Sequence, residues 1–484
     1  VKILFVSPEV APLAKTGGLA DVAGALPQAL HQLGHEVRIV MPRYRCIGSD
    51  AFTPTADDPR VEAIIDGRRR RGRVRHGKLG EVPVYFIENR RFFDRPELYG
   101  PGGGDYPDNA LRFGFFCRAV VDLLRRSDFR PDVVHLNDWQ TGLIPVLLRN
   151  EHRDDPRLGD IGTVLTIHNL GYQGLFPADT LPALGLDPAL FTMEGLEYYG
   201  QLSFLKAGIV YSDLLTTVSE TYCREIQTPE MGFGFDGILR SRRDDLFGIV
   251  NGLDTAMWDP ARDRALETTF DADHLEEKAA DKKALQQELG LPAAADTPVV
   301  AMVTRLDVQK GLDIVEAAWE KMMRRDLQFV LLGSGDRQLM NRWRRIQRAH
   351  PRRAAIRLSF DDGLARRIYG GSDIFLMPSR YEPCGLGQLI ALRYGCLPLV
   401  RRTGGLADTV TDPEHDPPRA NGFTFEQPAA PALLEGLDRA LDLHADRPRW
   451  NAMVRRAMAG DFSWTGSARR YIALYRKALE KRGV

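Results

Sequence analysis

The sequence predicts an α/β protein built from two doubly wound domains, and three observations carry that reading. At 484 residues the chain exceeds what one hydrophobic core usually supports. Short apolar runs alternate with amphipathic stretches of helical spacing, the rhythm of a parallel sheet wrapped by helices. The hexapeptide Thr-Gly-Gly-Leu-Ala-Asp occurs twice, behind Lys15 near one end and behind Arg402 near the other.

Taken in order, the strand-like runs of the first half lie at 3–6, 37–41, 84–87, 133–136, 164–167 and 214–218. Between the first two, Leu19, Val22, Ala23, Leu26, Leu30 and Leu33 keep helical spacing, and Gly34 stands where a C-cap glycine belongs. Thr16-Gly17-Gly18 therefore sits between a strand and a helix. After Val250-Asn251-Gly252 comes a stretch rich in charge and alanine, then new runs at 299–303, 329–332, 356–359, 374–377 and 397–400. The domains predicted are 1–252 and 253–464, with a C-terminal helix over about 465–484 packing back on the first through Tyr471, Leu474 and Leu479. The arginine-rich segment 68–75 has no interleaved aromatics and reads as a solvated turn beside a strand rather than a binding patch. Segment 414–420 reads as a Pro-rich loop.

Composition excludes several classes. Sixty-five basic residues balance 65 acidic ones, so no global field recruits nucleic acid or membrane, and specificity must be local. The apolar and charged fractions, 44% and 27%, are those of a soluble globular protein. Cys46, Cys117, Cys223, Cys384 and Cys396 are odd in number and form no C-x-x-C pair, which argues against a disulfide framework or a zinc site and for a reducing, cytoplasmic setting. The opening VKILFV is far too short for a membrane span, lacks a cleavage pattern and reads as a buried strand.

Ligands of doubly wound sheets bind beyond the carboxyl ends of strands, and two such domains facing each other would frame a cleft. Lys15-Thr16-Gly17-Gly18 follows the first strand. Its glycines permit close backbone approach, and a helix N-terminus with an ammonium favours a phosphate; a tight turn with an exposed lysine fits equally well. Arg305 and Lys310 in TRLDVQKGLD set two cations at a strand-to-helix turn, where surface pairing with carboxylates is the alternative. In SRYEPCGLGQLIALRYG, Glu382 precedes Cys384-Gly385-Leu386-Gly387, whose amides would open a helix. A carboxylate beside such a terminus can address a sugar hydroxyl and its leaving phosphate together.

The segments KTGGLADVAGALP, DYPDNALRFGFF, HLNDWQTGL, LTIHNLGYQG, VNGLD, TRLDVQKGLD, SRYEPCGLGQLIALRYG and RTGGLADTV resemble, in order and along nearly the whole chain, those of bacterial glycogen synthases and plant starch synthases. The resemblance implies a GT-B fold of two Rossmann-like domains about a deep cleft. It also implies transfer of glucose from ADP-glucose to the nonreducing end of an α-1,4-glucan with retention at the anomeric carbon.

By motif, Lys15 with the Gly17 and Gly18 backbone would meet the donor from the first domain, and Arg305, Lys310 and the Gly385 to Gly387 amides would hold its pyrophosphate from the second. His168 and Asn169 would lie against the transferred glucose with Asn251 nearby, and Glu382 would bind glucose hydroxyls and offset an oxocarbenium-like charge. Cys384 and Leu386 belong to the same donor loop. Asp138 and Trp139, with Asp21, Asp105, Tyr106 and Asn109, resemble the acceptor side, Trp139 offering a ring to stack on a sugar; a core Trp139 and a buried, backbone-bonded His168 are the alternatives. His135 reads instead as a buried structural histidine. Phe360 stands where the family often has tyrosine near the adenine, and Gly387 where some relatives have threonine, which questions base contacts rather than reaction class.

The expected mechanism neutralises the leaving diphosphate with Arg305, Lys310, Lys15 and helix dipoles, without metal or cofactor. The one D-x-D pair near the boundary, Asp271-Ala-Asp273, follows no strand end. Retention admits same-face attack or a covalent intermediate. The twin glycine loops would close, one from each domain, on a single nucleotide sugar. The rivals are a GT-B transferase using UDP-glucose or a small acceptor, a catalytically silent glucan-binding protein, and, least of all, a Rossmann oxidoreductase, since G-x-G-x-x-G is missing after the first strand.

Overall fold

The computed structural model describes residues 1–53 and 59–483. The chain divides into two compact units, one of Val1–Gly252 with Trp464–Val484 and one of Leu253–Ser463.

The first unit carries β1 (Lys2–Val6), β2 (Glu36–Pro42), β3 (Arg60–Ile65), β4 (Arg68–Leu79), β5 (Val82–Glu88), β6 (Val133–Asn137), β7 (Gly162–Ile167), β8 (Leu175–Pro177), β9 (Glu197–Tyr198), β10 (Gln201–Ser203), β11 (Leu214–Thr217) and β12 (Leu246–Gly248). Nine of these form one sheet in the order β12-β11-β7-β6-β1-β2-β5-β4-β3. The strands that were expected from apolar runs pair in parallel, and β6 and β7 are buried along their whole length, as parallel strands covered on both faces must be. Because β1 lies between β2 and β6, the chain leaves it in one direction and returns on its other side. The loops after β1 and β6 therefore flank a topological switch point, where open α/β sheets bind ligands.

The arginine-rich segment is not a turn. It is β4, twelve residues long, antiparallel to both β3 and β5. Arg71 and Arg69 meet Glu62 on β3 at 3.0 and 3.4 Å, and Arg75 meets Glu88 on β5 at 3.0 Å, while Val74 is buried. Cross-strand charge pairing of this kind has no local signature.

The helix Trp464–Arg482 buries Tyr471, Tyr475 and Ala478 in the same core as β6 and β7. His135 on β6 is fully buried and bridges the Tyr475 hydroxyl and Thr166 Oγ1, both at 2.7 Å. The C-terminal helix is thus tied to the first unit by a polar link as well as by packing.

The second unit carries β13 (Val299–Val303), β14 (Gln328–Leu332), β15 (Ala354–Arg357), β16 (Ile374–Met377), β17 (Leu397–Arg401) and β18 (Phe423–Phe425), all parallel in the order β15-β14-β13-β16-β17-β18. Here β13 is the turning point, and the loops after β13 and β16 flank it. No described helix is long and apolar enough to cross a membrane.

Candidate active site

In the first unit the loop after β1 is organised by Glu9, a buried carboxylate that the motifs did not single out. Its Oε2 accepts from the amides of Thr16 (2.6 Å) and Gly17 (3.2 Å), and its Oε1 from the Thr16 and Tyr99 hydroxyls, each at 2.6 Å. Four donors on one carboxylate fix the Lys15-Thr16-Gly17 backbone without using the helix that follows. That helix, Gly18–Gln32, starts from Gly17 with no side-chain cap, and a Cβ on Gly17 would meet nothing within 4 Å. Lys15 is 50% exposed at the side chain, and its Nζ rests on Asp21 Oδ1 at 2.7 Å. Asp21, expected on the acceptor side, is therefore first of all the carboxylate that aims Lys15; burial pushes its pKa up, against the pull of the lysine.

Asp138 follows β6 in a left-handed conformation, φ +56°, and its Oδ1 accepts the His168 amide at 2.7 Å. Burial raises its pKa to about 7, opposed by the amides of His168 and Asn169 and reinforced by Glu9. The His168 ring, buried after β7, contacts Asn137 Oδ1 through Nε2 at 2.9 Å. Asn137 donates its amide nitrogen to the Val6 carbonyl at 2.9 Å, so its oxygen is the acceptor and Nε2 of His168 must carry the hydrogen. Burial lowers the His168 pKa to about 3. A neutral imidazole with its proton on Nε2 leaves Nδ1 as an acceptor, suited to a sugar hydroxyl and unsuited to general acid work near neutral pH. Asn169 spends its side-chain oxygen on the Gly171 amide, 2.9 Å away. Asn251 is buried, and its Oδ1 has no hydrogen-bond partner among the described residues.

The expected acceptor side needs correction. Trp139 is 7% exposed and packs edge-on against Phe113 (5.1 Å) and Phe204 (6.2 Å) and tilted against Phe176 (5.6 Å), so its ring is core and offers no face to a sugar. Asn109 is buried too. It donates to Asp105 Oδ1 (3.0 Å) and accepts from Arg112 (2.7 Å), which places it behind the surface rather than on it. Tyr106 lies against the guanidinium groups of Arg95 (4.7 Å) and Arg112 (4.9 Å), leaving exposed Asp105 as the member of this group most open to a ligand.

In the second unit the loops after β13 and β16 meet. A Cβ on Gly311, φ +68°, would overlap the Pro378 carbonyl oxygen, so only glycine lets these loops touch. The contact brings Lys310 Nζ to Glu382 Oε2 at 2.7 Å, and the Ser379 hydroxyl donates to the same oxygen at 2.9 Å. The two side chains are 16% and 8% exposed, and Oε1 of Glu382 takes neither bond. Asp307 caps the turn Val308–Lys310 by accepting the Lys310 amide at 3.2 Å. Arg305 stays largely exposed, 3.6 Å from Asp307. Gly385 has φ +78°, and the helix Gly387–Arg393 opens beyond Leu386 without a side-chain cap. Cys384 is buried, a Cβ on Gly387 would come 3.0 Å from Phe375, and Phe360 after β15 is 89% exposed.

The twin glycine loops are not equivalent, contrary to the reading in which both close on the donor. A Cβ on Gly404, φ +44°, would overlap the Glu382 carbonyl oxygen, and one on Gly405 the carbonyl of Cys384. Arg402 pairs with Glu426 at 3.1 Å. The glycines of the second loop are spent on packing inside their own unit, whereas Gly17 faces open space.

Family profiles match both units: "Starch synthase catalytic domain" over residues 2–241 and "Glycosyl transferases group 1" over 285–457. A glycogen synthase of Syntrophotalea carbinolica is 58% identical over 482 residues, covering 99% of each chain, and one of Geotalea daltonii is 50% identical over 483 residues, covering 100% of each. This chain belongs to the glycogen and starch synthase family. Among solved structures, the catalytic domain of starch synthase IV from Arabidopsis thaliana, bound to ADP and acarbose, is 35% identical with a TM-score of 0.92 over 99% of both chains. The synthase is accordingly a glycosyltransferase of GT-B fold, with two Rossmann-like units in one chain.

Several residues that organise the synthase's loops escaped the sequence reading. Glu9, Asn137 and Ser379 each sit at or just past the carboxyl end of a strand beside a switch point, and that position was the available signal. Tyr99 and Arg112 carried none, because their roles are set by partners distant in sequence.

The buried histidines predict an acid sensitivity. His135 and His168, ordinary value 6.5, are both pushed down to about 3 by burial. Between those values the unfolded chain binds more protons at both, so stability is present above pH 6.5 and is lost as pH falls toward 3. Asp138, raised from 3.8 to about 7, works the other way, losing stability as pH rises through 7. From about pH 4 to 6.5 two histidines outweigh one aspartate by roughly one proton. The melting temperature is therefore expected to fall on acidification from pH 6.5 to 4.5, and His135→Gln to flatten that slope. A slope that His135→Gln leaves unchanged would remove His135 from the cause.

Proposed function

We propose that the chain is a glycogen synthase that transfers glucose from ADP-glucose to the nonreducing end of an α-1,4-glucan with retention, releasing ADP without a metal. The observation that carries this reading is the part-buried Lys310–Glu382 pair beside the uncapped start of the helix Gly387–Arg393, at the switch point of a glycosyltransferase unit. Cleavage of the glucose to phosphate bond leaves positive charge on the sugar and a nucleoside diphosphate anion. Lys310, Arg305 and the amides of Gly385 to Gly387 neutralise the diphosphate, with Lys15 acting from the first unit. Glu382 keeps one carboxylate oxygen on Lys310 and Ser379 and directs the other to the glucose, where it offsets oxocarbenium charge. Neutral His168 accepts from a glucose hydroxyl at Nδ1, and Asn251 and Asn169 line the same sugar. Phe360 stacks on the base without a hydroxyl to donate.

On the acceptor side, Asp138 and Asp105 hold hydroxyls of the glucan, while Tyr106, Asn109 and Trp139 shape the surface from behind. The incoming 4-hydroxyl attacks from the face that the phosphate leaves and passes its proton to a phosphate oxygen, so the glycosidic bond forms as the C1 to phosphate oxygen bond breaks.

The test is radiolabelled transfer onto glycogen from ADP-glucose against UDP-glucose, with and without excess EDTA. Preferred use of ADP-glucose at an unchanged rate in EDTA is expected. Equal or greater use of UDP-glucose would overturn the donor assignment, and a loss restored only by divalent ions would overturn the metal-free mechanism.

A further inference from the structure

We propose that the second Thr-Gly-Gly-Leu-Ala-Asp segment, with the Thr409 that follows it, is the cradle that positions the Glu382 to Gly387 turn, Gly405 and Thr409 being its positioning residues; this rests on the proposed roles of Glu382 and the Gly385 to Gly387 amides. The two copies share six residues and differ in what surrounds them. The first presents an open Gly17 behind a half-exposed Lys15. In the second, the Gly405 amide donates to the carbonyls of Glu382 and Pro383, both at 3.1 Å, and the missing Cβ atoms of Gly404 and Gly405 let its backbone lie flat on Glu382 and Cys384.

The cradle continues one turn further along the helix Gly404–Thr409. The Thr409 hydroxyl donates to the Gly405 carbonyl at 2.6 Å and accepts from Gln388 Nε2 at 3.2 Å. The same Gln388 nitrogen reaches the carbonyls of Cys384 and Gly385, each at 3.0 Å, closing the turn from its other end. Just upstream, Arg401 Nε donates to the Ser379 carbonyl at 3.0 Å and its Nη2 to that of Arg380, which holds the residue whose hydroxyl orients the Glu382 carboxylate. Gln388 and Thr409 are buried, so the bonds of Gln388 to Cys384 and Thr409, and of Thr409 to Gly405, are shielded from competing water. A tight turn carrying a catalytic carboxylate has few contacts of its own. Its geometry here is set by a glycine face and a hydroxyl supplied from the neighbouring strand-to-helix loop.

The experiment compares Gly405→Ala, Thr409→Val, Thr409→Ser, Arg402→Ala and Glu382→Gln in the full chain, measuring kcat with ADP-glucose and glycogen, Kd for ADP by calorimetry, and melting temperature. Displacing the turn costs both the carboxylate and the amides their geometry. Gly405→Ala is expected to lower kcat by about thirtyfold and to weaken ADP by about tenfold, with a lower melting temperature because its Cβ must displace the Cys384 backbone, and Thr409→Val to lower kcat by about fivefold and weaken ADP by about threefold. Thr409→Ser keeps the hydroxyl and should restore both readouts to within about twofold of wild type, and Arg402→Ala should stay within the same margin. Retained kcat and ADP affinity in Gly405→Ala, or a serine variant no better than valine, would overturn the cradle. Arg402→Ala as damaging as Gly405→Ala would instead make the second loop a donor site. If Glu382→Gln keeps the wild-type rate, the reading of Glu382 fails, and the cradle is then judged on ADP affinity alone.

Discussion

Glu382→Ala is expected to lower kcat by about a hundredfold to a thousandfold, roughly 3 to 4 kcal/mol, the scale of losing one preorganised electrostatic partner of a transition state. The carboxylate is held before substrate arrives, by Lys310 at 2.7 Å and Ser379 at 2.9 Å, so no reorganisation is required when charge develops. ADP binding measured by calorimetry should change little, because the diphosphate is assigned to cations and amides. Stability should fall as well, since removing Glu382 leaves the part-buried Lys310 ammonium without its partner. Glu382→Gln separates the two effects. An amide oxygen can still accept from Lys310 and Ser379, so melting should recover while kcat stays low. Loss of ADP affinity and kcat by equal factors in Glu382→Ala, with Gln rescuing both, would make Glu382 a folding residue.

Lys15→Ala is expected to cost about 2 to 4 kcal/mol in kcat/KM for ADP-glucose. Asp21 steers the ammonium but does not bury it, and the loop that carries it is pinned by three bonds to Glu9, which Tyr99 holds with a fourth. Arg402→Ala should cost far less, for its guanidinium is engaged with Glu426 on an exposed edge. Lys15→Arg should rescue only in part, because a planar fork replaces a compact ammonium. Equal damage from the two alanine variants, at unchanged melting temperature, would show that the loops share the donor after all.

Lys310 and Glu382 each lie in a loop that the strand pattern already locates, and the structure brings their side chains together. Lys310 and Glu382 are 72 residues apart, yet both follow strands that border one switch point. At Trp139 the same logic favours a sugar-facing ring over the core position that the structure gives it. Its position after β6 resembles that of a ligand-facing aromatic, and only the rings of Phe113, Phe176 and Phe204, brought from three other segments, turn it inward. The arginine strand β4 was misread for a related reason: side-chain charge hid a period of two that is satisfied by Glu62 and Glu88 on different neighbours.

Short-range chemistry is legible in the residues alone. Apolar runs, helical spacing and turn glycines specify two doubly wound units and the loops after β1, β6, β7, β13 and β16, and the ordered motifs specify the family. Which of the two identical hexapeptides remains open depends instead on long-range packing. Six shared residues do not fix one turn: Gly17 is extended at φ −147° while its counterpart Gly404 has φ +44°, and a glycine's missing Cβ is a vacancy whose use depends on what packs against it. At Gly17 nothing does, and at Gly404 and Gly405 the backbone of Glu382 to Cys384 fills the space, a contact between segments that no local rule can see.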